Sequence, residues 1–86
     1  MKFIFCCDCQ EIVRLRRELR KCVCGKSSGR YVDETNAEIQ GNCIPIGIKS
    51  SSFEAALRAQ PKGPGKGKRF EAFVIPKICN TVRVLK

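Results

Sequence analysis

Short runs of apolar and alternating side chains predict strands along most of the chain. Residues 3–5 combine aromatic and β-branched side chains and predict a strand that ends at the first cysteine cluster. Residues 29–33 and 70–75 have the same character, and 81–85 predicts a last short strand. The pattern therefore favours a β-rich fold.

Residues 11–20 fit two structures. Alternating apolar positions predict a strand over residues 11–15, whereas apolar side chains at i, i+3 and i+7 predict an amphipathic helix over the whole segment. We favour two strands joined by a hairpin turn at residues 16–18, because this turn returns Cys22 to Cys9.

The centre of the chain predicts a second hairpin. Residues 37–40 and 43–48 are strand-like and are separated by Gly-Asn, a dipeptide suited to a two-residue turn. Pro45 lacks a backbone donor and Gly47 lacks a side chain, so we expect the second strand at a sheet edge or beside another backbone. Such an edge could pair between chains, which makes a homo-oligomer possible.

One short helix is predicted over residues 52–60, before Pro61. Ser51 as N-cap and Glu54 three residues later match a capping box. The stripe that we expect to be buried consists of Phe53, Ala56 and Leu57.

The composition and length indicate that this fold needs an additional stabilising link. The chain has 86 residues and 43% hydrophobic content, which suits one domain. Domains near this size commonly need a disulfide, a metal or a partner chain, and seven cysteines with no histidine indicate where to look. No apolar run approaches the length needed to span a bilayer, so we expect no membrane association.

The start of the chain lacks the apolar core of a signal peptide, so we expect a cytoplasmic protein. In a reducing compartment, closely spaced cysteines are metal ligands or redox groups more often than disulfides. An odd number of cysteines also leaves at least one thiol unpaired in any fully bridged scheme.

Four cysteines have the spacing of a metal site. Cys6, Cys9, Cys22 and Cys24 form C-x₂-C-x₁₂-C-x-C, with Gly25 directly after the last thiol. Two tight turns that each supply two thiolates satisfy a tetrahedral zinc ion, and the glycine suits the positive φ that such a turn needs. The sequence therefore predicts a structural Zn²⁺.

Other arrangements of the thiols stay open. The second pair is spaced by one residue rather than two, and Cys7 is a competing thiol in the first turn. The cysteines could also be reduced core residues, or Cys6 and Cys9 could form a redox pair. Cys43 and Cys79 lie in apolar strand-like segments, and we interpret both as core residues.

Four stretches of the chain resemble small uncharacterised zinc-ribbon proteins of phages and bacteria. They are FIFCCDC at 3–9, RKCVCG at 20–25, GRYVD at 29–33 and FVIPK at 73–77. The similarity extends over most of the chain. It implies an N-terminal zinc ribbon with the four cysteines as ligands and a phage or bacterial setting, but no activity.

The fold that we predict is a single α+β, β-rich domain over residues 1–86. A zinc ribbon at 1–30 packs with an extension at 31–86, which contains the β-hairpin, one short helix and one or two C-terminal strands. A flexible basic loop occupies 62–69, where glycines and lysines alternate.

The formal charge of +9 is concentrated at the two ends of the chain. Four thiolates holding Zn²⁺ would lower it only to about +7. A basic surface of this kind attracts nucleic acid or a nucleotide, although the loop does not match a P-loop. The candidate ligand-binding residues are Arg14, Arg16, Arg17, Arg20, Lys21, Lys62, Lys66, Lys68 and Arg69.

The sequence favours a binding module over an enzyme. Histidine is absent, and a zinc ion held by four thiolates has no open position for water. We expect a non-catalytic, zinc-stabilised protein whose basic surface binds a phosphate-rich ligand. The alternative is an inhibitor or adaptor that docks on a host protein, such as a phage factor acting on defence or transcription machinery.

Overall fold

A computed structural model describes residues 1–85, which form eight strands and one helix. The strands are β1 (Lys2–Cys6), β2 (Ile12–Arg14), β3 (Arg20–Lys21), β4 (Ser28–Tyr31), β5 (Ala37–Gln40), β6 (Cys43–Ile48), β7 (Ala72–Val74) and β8 (Val82–Leu85). The helix α1 (Ser50–Arg58) lies between β6 and β7.

The strands form two four-stranded sheets. Sheet A has the order β2-β1-β6-β7 and sheet B the order β3-β4-β5-β8. Strands β5 and β8 are parallel, and all other pairs are antiparallel. The predicted β-rich α+β class is confirmed.

The core joins the two sheets and the cysteine turns. In β1, Ile4 and Cys6 are fully buried, while the residues between and beside them are half-buried. This alternation is the period of a strand that turns one face to the core. The core consists of Ile4, Cys6, Val13, Leu15, Cys22, Ala37, Ile39, Ile75 and Val82.

The strand interpretation of residues 11–20 is correct, but the predicted hairpin at 16–18 is wrong. Strand β2 pairs with β1, and β3 pairs with β4 in the other sheet. Each strand forms a hairpin across its nearest cysteine turn. Leu15, directly after β2, is buried in the core, so the chain leads from β2 into the core instead of turning back along it. Residues 16–18 connect the sheets, and the Arg16 carbonyl accepts a hydrogen bond from Tyr31 N (2.7 Å).

The predicted hairpin between residues 37–40 and 43–48 is also wrong, because β5 and β6 belong to different sheets. Gly41 has a φ of +103°, and Cys43 N donates to its carbonyl at 3.0 Å. The next carbonyl, of Asn42, accepts from Cys7 N at 2.9 Å. The Gly-Asn dipeptide therefore moves the chain from one sheet to the other.

Strand β6 is not an edge strand, so this first alternative expected from Pro45 and Gly47 is wrong. It lies between β1 and β7. The Pro45 carbonyl accepts a hydrogen bond from Ile75 N (2.9 Å), so it faces the β7 side of the strand. The position of the proline's missing N–H faces the same side, where β7 has just ended. Strand β1, on the other side, therefore loses no hydrogen-bond partner. Gly47 lies between the β1 and β7 backbones, opposite Lys2 and Phe73, and the Phe73 ring occupies the space that a Cβ at Gly47 would need.

The helix is confirmed, but its start and its capping differ from the prediction. It begins at Ser50 with Lys49 as N-cap and no side-chain cap, so the capping box is wrong. The Ser52 hydroxyl instead accepts a hydrogen bond from Glu71 N at 2.8 Å. This bond holds the helix to the segment that enters β7.

Only one residue of the predicted helix stripe is buried. Ala56 is buried and Phe53 is half-buried, whereas Leu57 is 59% exposed. Phe53 contacts Phe70 edge-to-face, with the ring centroids 4.8 Å apart. Helix α1 and the loop that follows it thus form their own small cluster outside the main core.

The described part of the molecule is elongated, with extents of 46 × 26 × 23 Å. Its radius of gyration is 14.3 Å, compared with about 12 Å for a compact chain of this length. Within residues 1–85, the helix is too short and polar to cross a membrane.

Candidate metal centre

The first cysteine pair lies on the turn between β1 and β2. Cys6 is the last residue of β1, and Cys9 lies in the turn. Gln10 follows with a φ of +63°, and its N–H donates to the Cys6 carbonyl at 2.7 Å. This bond closes the turn and brings the two thiols toward the same point.

The second pair lies on the turn between β3 and β4 and is built in the same way. Gly25, directly after Cys24, has a φ of +76°, as its position after the second thiol predicted. Its N–H donates to the Cys22 carbonyl at 3.0 Å. In both turns the residue after the second cysteine takes a left-handed conformation and bonds to the first cysteine.

The two turns bring the four predicted sulfur atoms together. The Sγ atoms of Cys6, Cys9, Cys22 and Cys24 all lie within 4.8 Å of one another. Cys24 Sγ lies 3.7 Å from Cys6 Sγ and 3.4 Å from Cys22 Sγ. Four Zn–S bonds of about 2.3 Å in a tetrahedron place the sulfurs about 3.8 Å apart, so the cluster fits such an ion. All seven thiols, each within the described residues, are free of disulfides.

Hydrogen-bond donors surround the sulfurs. Ser27 is buried; its N–H donates to Cys22 Sγ at 3.4 Å, and its hydroxyl donates to Cys6 Sγ at 3.3 Å. Cys9 N donates to Cys6 Sγ at 3.5 Å. Donors of this kind stabilise thiolates and fix the orientation of metal ligands.

The pKa values of the thiols diverge within the cluster. The Ser27 hydroxyl, followed by the Cys9 amide, lowers the pKa of Cys6 to about 6. Burial opposes ionisation of Cys22, but the Ser27 amide and the Cys24 thiol outweigh it and lower that pKa. The Lys26 amide favours the Cys24 thiolate, yet the neighbouring thiols, Cys22 foremost, raise its pKa to about 12. Four thiolates this close need a cation to coexist.

A carboxylate joins the two turns on the outside of the cluster. Glu11 Oε1 accepts a hydrogen bond from Val23 N, between the two cysteines of the second pair, at 2.6 Å. Sequence reasoning missed Glu11, Gln10 and Ser27. Their only signal was proximity to the cysteines, since each lies within three residues of one.

The remaining cysteines lie outside the cluster. Cys7 is exposed, and Cys43 and Cys79 are half-buried against the core, which fits their interpretation as core residues. Burial raises the pKa of the Cys43 thiol, as expected for a residue in apolar surroundings.

The candidate basic residues are distributed over several parts of the fold. Arg14 lies in sheet A and Arg20 in sheet B, and Arg17 borders a depression that also contains Asp33 and Glu34. The candidates of the loop 62–69 are all exposed. Within residues 1–85, no hydrogen bond or ion pair links the loop to the arginines of the 14–21 segment.

Beside the second cysteine turn lies an open depression of about 530 Å³. Lys21 and Lys26 supply its charges, and none of the residues 1–85 that line it has a carboxylate side chain. Sequence reasoning missed Lys26, although it directly follows the glycine of the metal motif. The remaining residues around it are Gly25, Ser28, Gln40, Gly41 and Leu85.

In comparisons with known proteins, no protein-family model, no curated protein and no solved structure matches the chain.

Proposed function

We propose that this chain is a zinc-stabilised, non-catalytic module that binds nucleic acid through its phosphates. Zinc is the ion that suits the donor set, because four thiolates are soft ligands and the four sulfurs lie close enough together to surround one ion. Such a site is closed, since all four positions are taken by cysteine. The ion would therefore stabilise the fold rather than activate water.

One observation supports the ligand class: the depression lined by Lys21 and Lys26 next to the second cysteine turn. Two cations with no carboxylate side chain among the described lining residues attract phosphate, and the net charge of +9 draws a polyanion toward the whole molecule. Ser28 and Gln40 add polar groups that can bond phosphate oxygens or sugars. The loop 62–69 would add further cationic contacts along a longer ligand.

Fluorescence anisotropy with a labelled oligonucleotide of mixed sequence tests this proposal. Lys21→Glu combined with Lys26→Glu should weaken binding and reduce the dependence of the affinity on salt by about two phosphate contacts. The matched control carries the same charge change elsewhere, at Arg58 and Lys77, which are exposed and distant in sequence from the depression.

Equal losses in the two double variants would refute a local site, because only the net charge would then matter. Binding of a mononucleotide with the same affinity as the oligonucleotide would instead indicate a nucleotide site. A zinc-loaded protein that binds neither would overturn the proposed function.

A further inference from the structure

The face of sheet A that points away from the core is largely apolar, and part of it is exposed. Register places Ile12, Phe5 and Ile44 in one row across three strands, on the side opposite the buried Ile4 and Val13. Directly opposed residues on paired strands share a face, so these three side chains are neighbours. Ile12 is 59% exposed and Ile44 41%.

A second row of side chains runs parallel to the first and includes one charged residue. Arg14, Phe3, Ile46 and Val74 lie in register across all four strands. Val74 is 69% exposed, while Phe3 and Ile46 are half-buried. We call these two rows the outer face. Arg14 is its only charged residue, and the exposed Arg16 follows two positions later.

We propose that the outer face docks one amphipathic helix of a partner protein, with acidic residues beside its apolar stripe. Contiguous exposed apolar surface bordered by polar residues marks interaction sites in soluble proteins. The arginines at the β2 side, in a chain of net charge +9, complement carboxylates on the partner.

The dimensions of the face favour a helix over a second copy of this chain. Four strands about 4.8 Å apart make the longer row about 14 Å long, and the two rows lie two residues, or about 7 Å, apart along the strands. One helix of about 10 Å diameter that lies along the rows covers them with about 10 residues. A stable dimer interface takes about 20 to 30 residues from each partner, whereas the outer face has seven.

Selection from a displayed library of 14-residue helices tests the proposal. The library fixes an apolar stripe and randomises the flanking positions equally among Glu, Lys and Ser. Zinc-loaded protein should enrich Glu on the flank, and the winning peptide should shift the amide resonances of Ile12, Ile44 and Val74.

Substitutions within and outside the face complete the experiment. Ile44→Thr combined with Val74→Thr keeps β-branched side chains but removes apolar surface, and should weaken the selected peptide about tenfold or more. Val84→Thr, at a residue 56% exposed in sheet B, should leave the affinity unchanged.

Three results would overturn the proposal: enrichment of Lys on the flank, selected peptides that bind the double variant as well as the parent, or a parent dimer that Ile44→Thr converts to monomer. In the last case a second copy would be the occupant. Melting curves of each variant show whether a loss of binding reflects unfolding instead.

Discussion

At the level of single residues, the candidate metal site depends on two left-handed positions, Gln10 and Gly25. Each donates its N–H to the carbonyl of the first cysteine of its pair, so each sets the direction of two thiols. Glycine adopts this conformation without a steric penalty, whereas glutamine does not. The two turns therefore have the same geometry, but the left-handed conformation costs more free energy at Gln10 than at Gly25.

We expect opposite effects from exchanging the residue type at these positions. Gly25→Ala should lower the free energy of unfolding by about 1 to 2 kcal/mol, because nothing lies within 4 Å of the added Cβ and only backbone strain is introduced. Gln10→Gly should raise it by up to about 1 kcal/mol. Chemical denaturation of the metal-loaded protein measures both values.

Gly63→Ala serves as the control, since this glycine of the basic loop also has open space around it but no positive φ. It should change stability little. A Gly25→Ala variant as stable as Gly63→Ala would show that the second turn does not need its left-handed residue.

At the level of elements, the connection between β5 and β6 decides how the two sheets meet. Gly41 has a φ of +103°, and a Cβ there would collide with the Lys26 carbonyl and come within 2.8 Å of Ser27 Cα. The chain therefore crosses between sheets directly against the second cysteine turn. Both the fold and the candidate metal site therefore depend on the contact between Gly41 and the second cysteine turn.

Gly41→Ala should be among the most damaging small substitutions in the protein. Backbone strain and backbone overlap add, so we expect a loss of about 3 kcal/mol, clearly more than for Gly25→Ala. The affinity for zinc should fall as well, because Ser27 must move and it donates to two of the sulfurs. Denaturation and chelator competition on the same variant check both effects.

The elements were largely predictable from the sequence, but their pairing was not. Strands such as β1 and β8 follow from local side-chain pattern, and the four sulfurs follow from cysteine spacing. The side-chain pattern within one segment does not indicate which other strand lies beside it in the sheet. Thus Gly41-Asn42 suits a hairpin turn in isolation, yet β5 pairs with β4 and β8 while β6 pairs with β1 and β7.

Contacts that join distant segments were also beyond the sequence. Glu11 bonding to Val23 and Ser27 bonding to Cys6 have no periodic signal, because they depend on two turns that meet only after folding. The wrong prediction of an edge strand from Pro45 has a related reason. The missing N–H of Pro45 faces β7, and β7 has already ended at that position, so no strand pairing is lost.

At the level of the whole molecule, the two sheets are joined by a small core and by a four-thiol cluster. Nine buried residues of the described part of the chain form the core, and Cys6 and Cys22 belong to both the core and the cluster. An ion bound there would connect the β1–β2 and β3–β4 hairpins. Loss of that ion should therefore affect the entire domain rather than one turn.

Metal removal should accordingly destabilise the whole protein. We expect native mass spectrometry to detect one zinc ion per chain, and a chelator to lower the melting temperature or abolish cooperative unfolding. Cys24→Ser should behave like the chelated protein. Cys7→Ser should retain zinc, because Cys7 is exposed and its sulfur is not part of the cluster.

The pH dependence of zinc binding follows from the divergent pKa values. Without metal, Cys24 keeps its proton up to about pH 12, whereas Cys6 loses its proton near pH 6. Zinc must displace the remaining protons, so its affinity should rise with pH through the range between these values and fall as the medium becomes acidic. Competition with a chromophoric chelator at several pH values between about 6 and 8 measures this slope. An affinity independent of pH, or zinc retained equally by Cys24→Ser, would show that this thiol does not bind the ion.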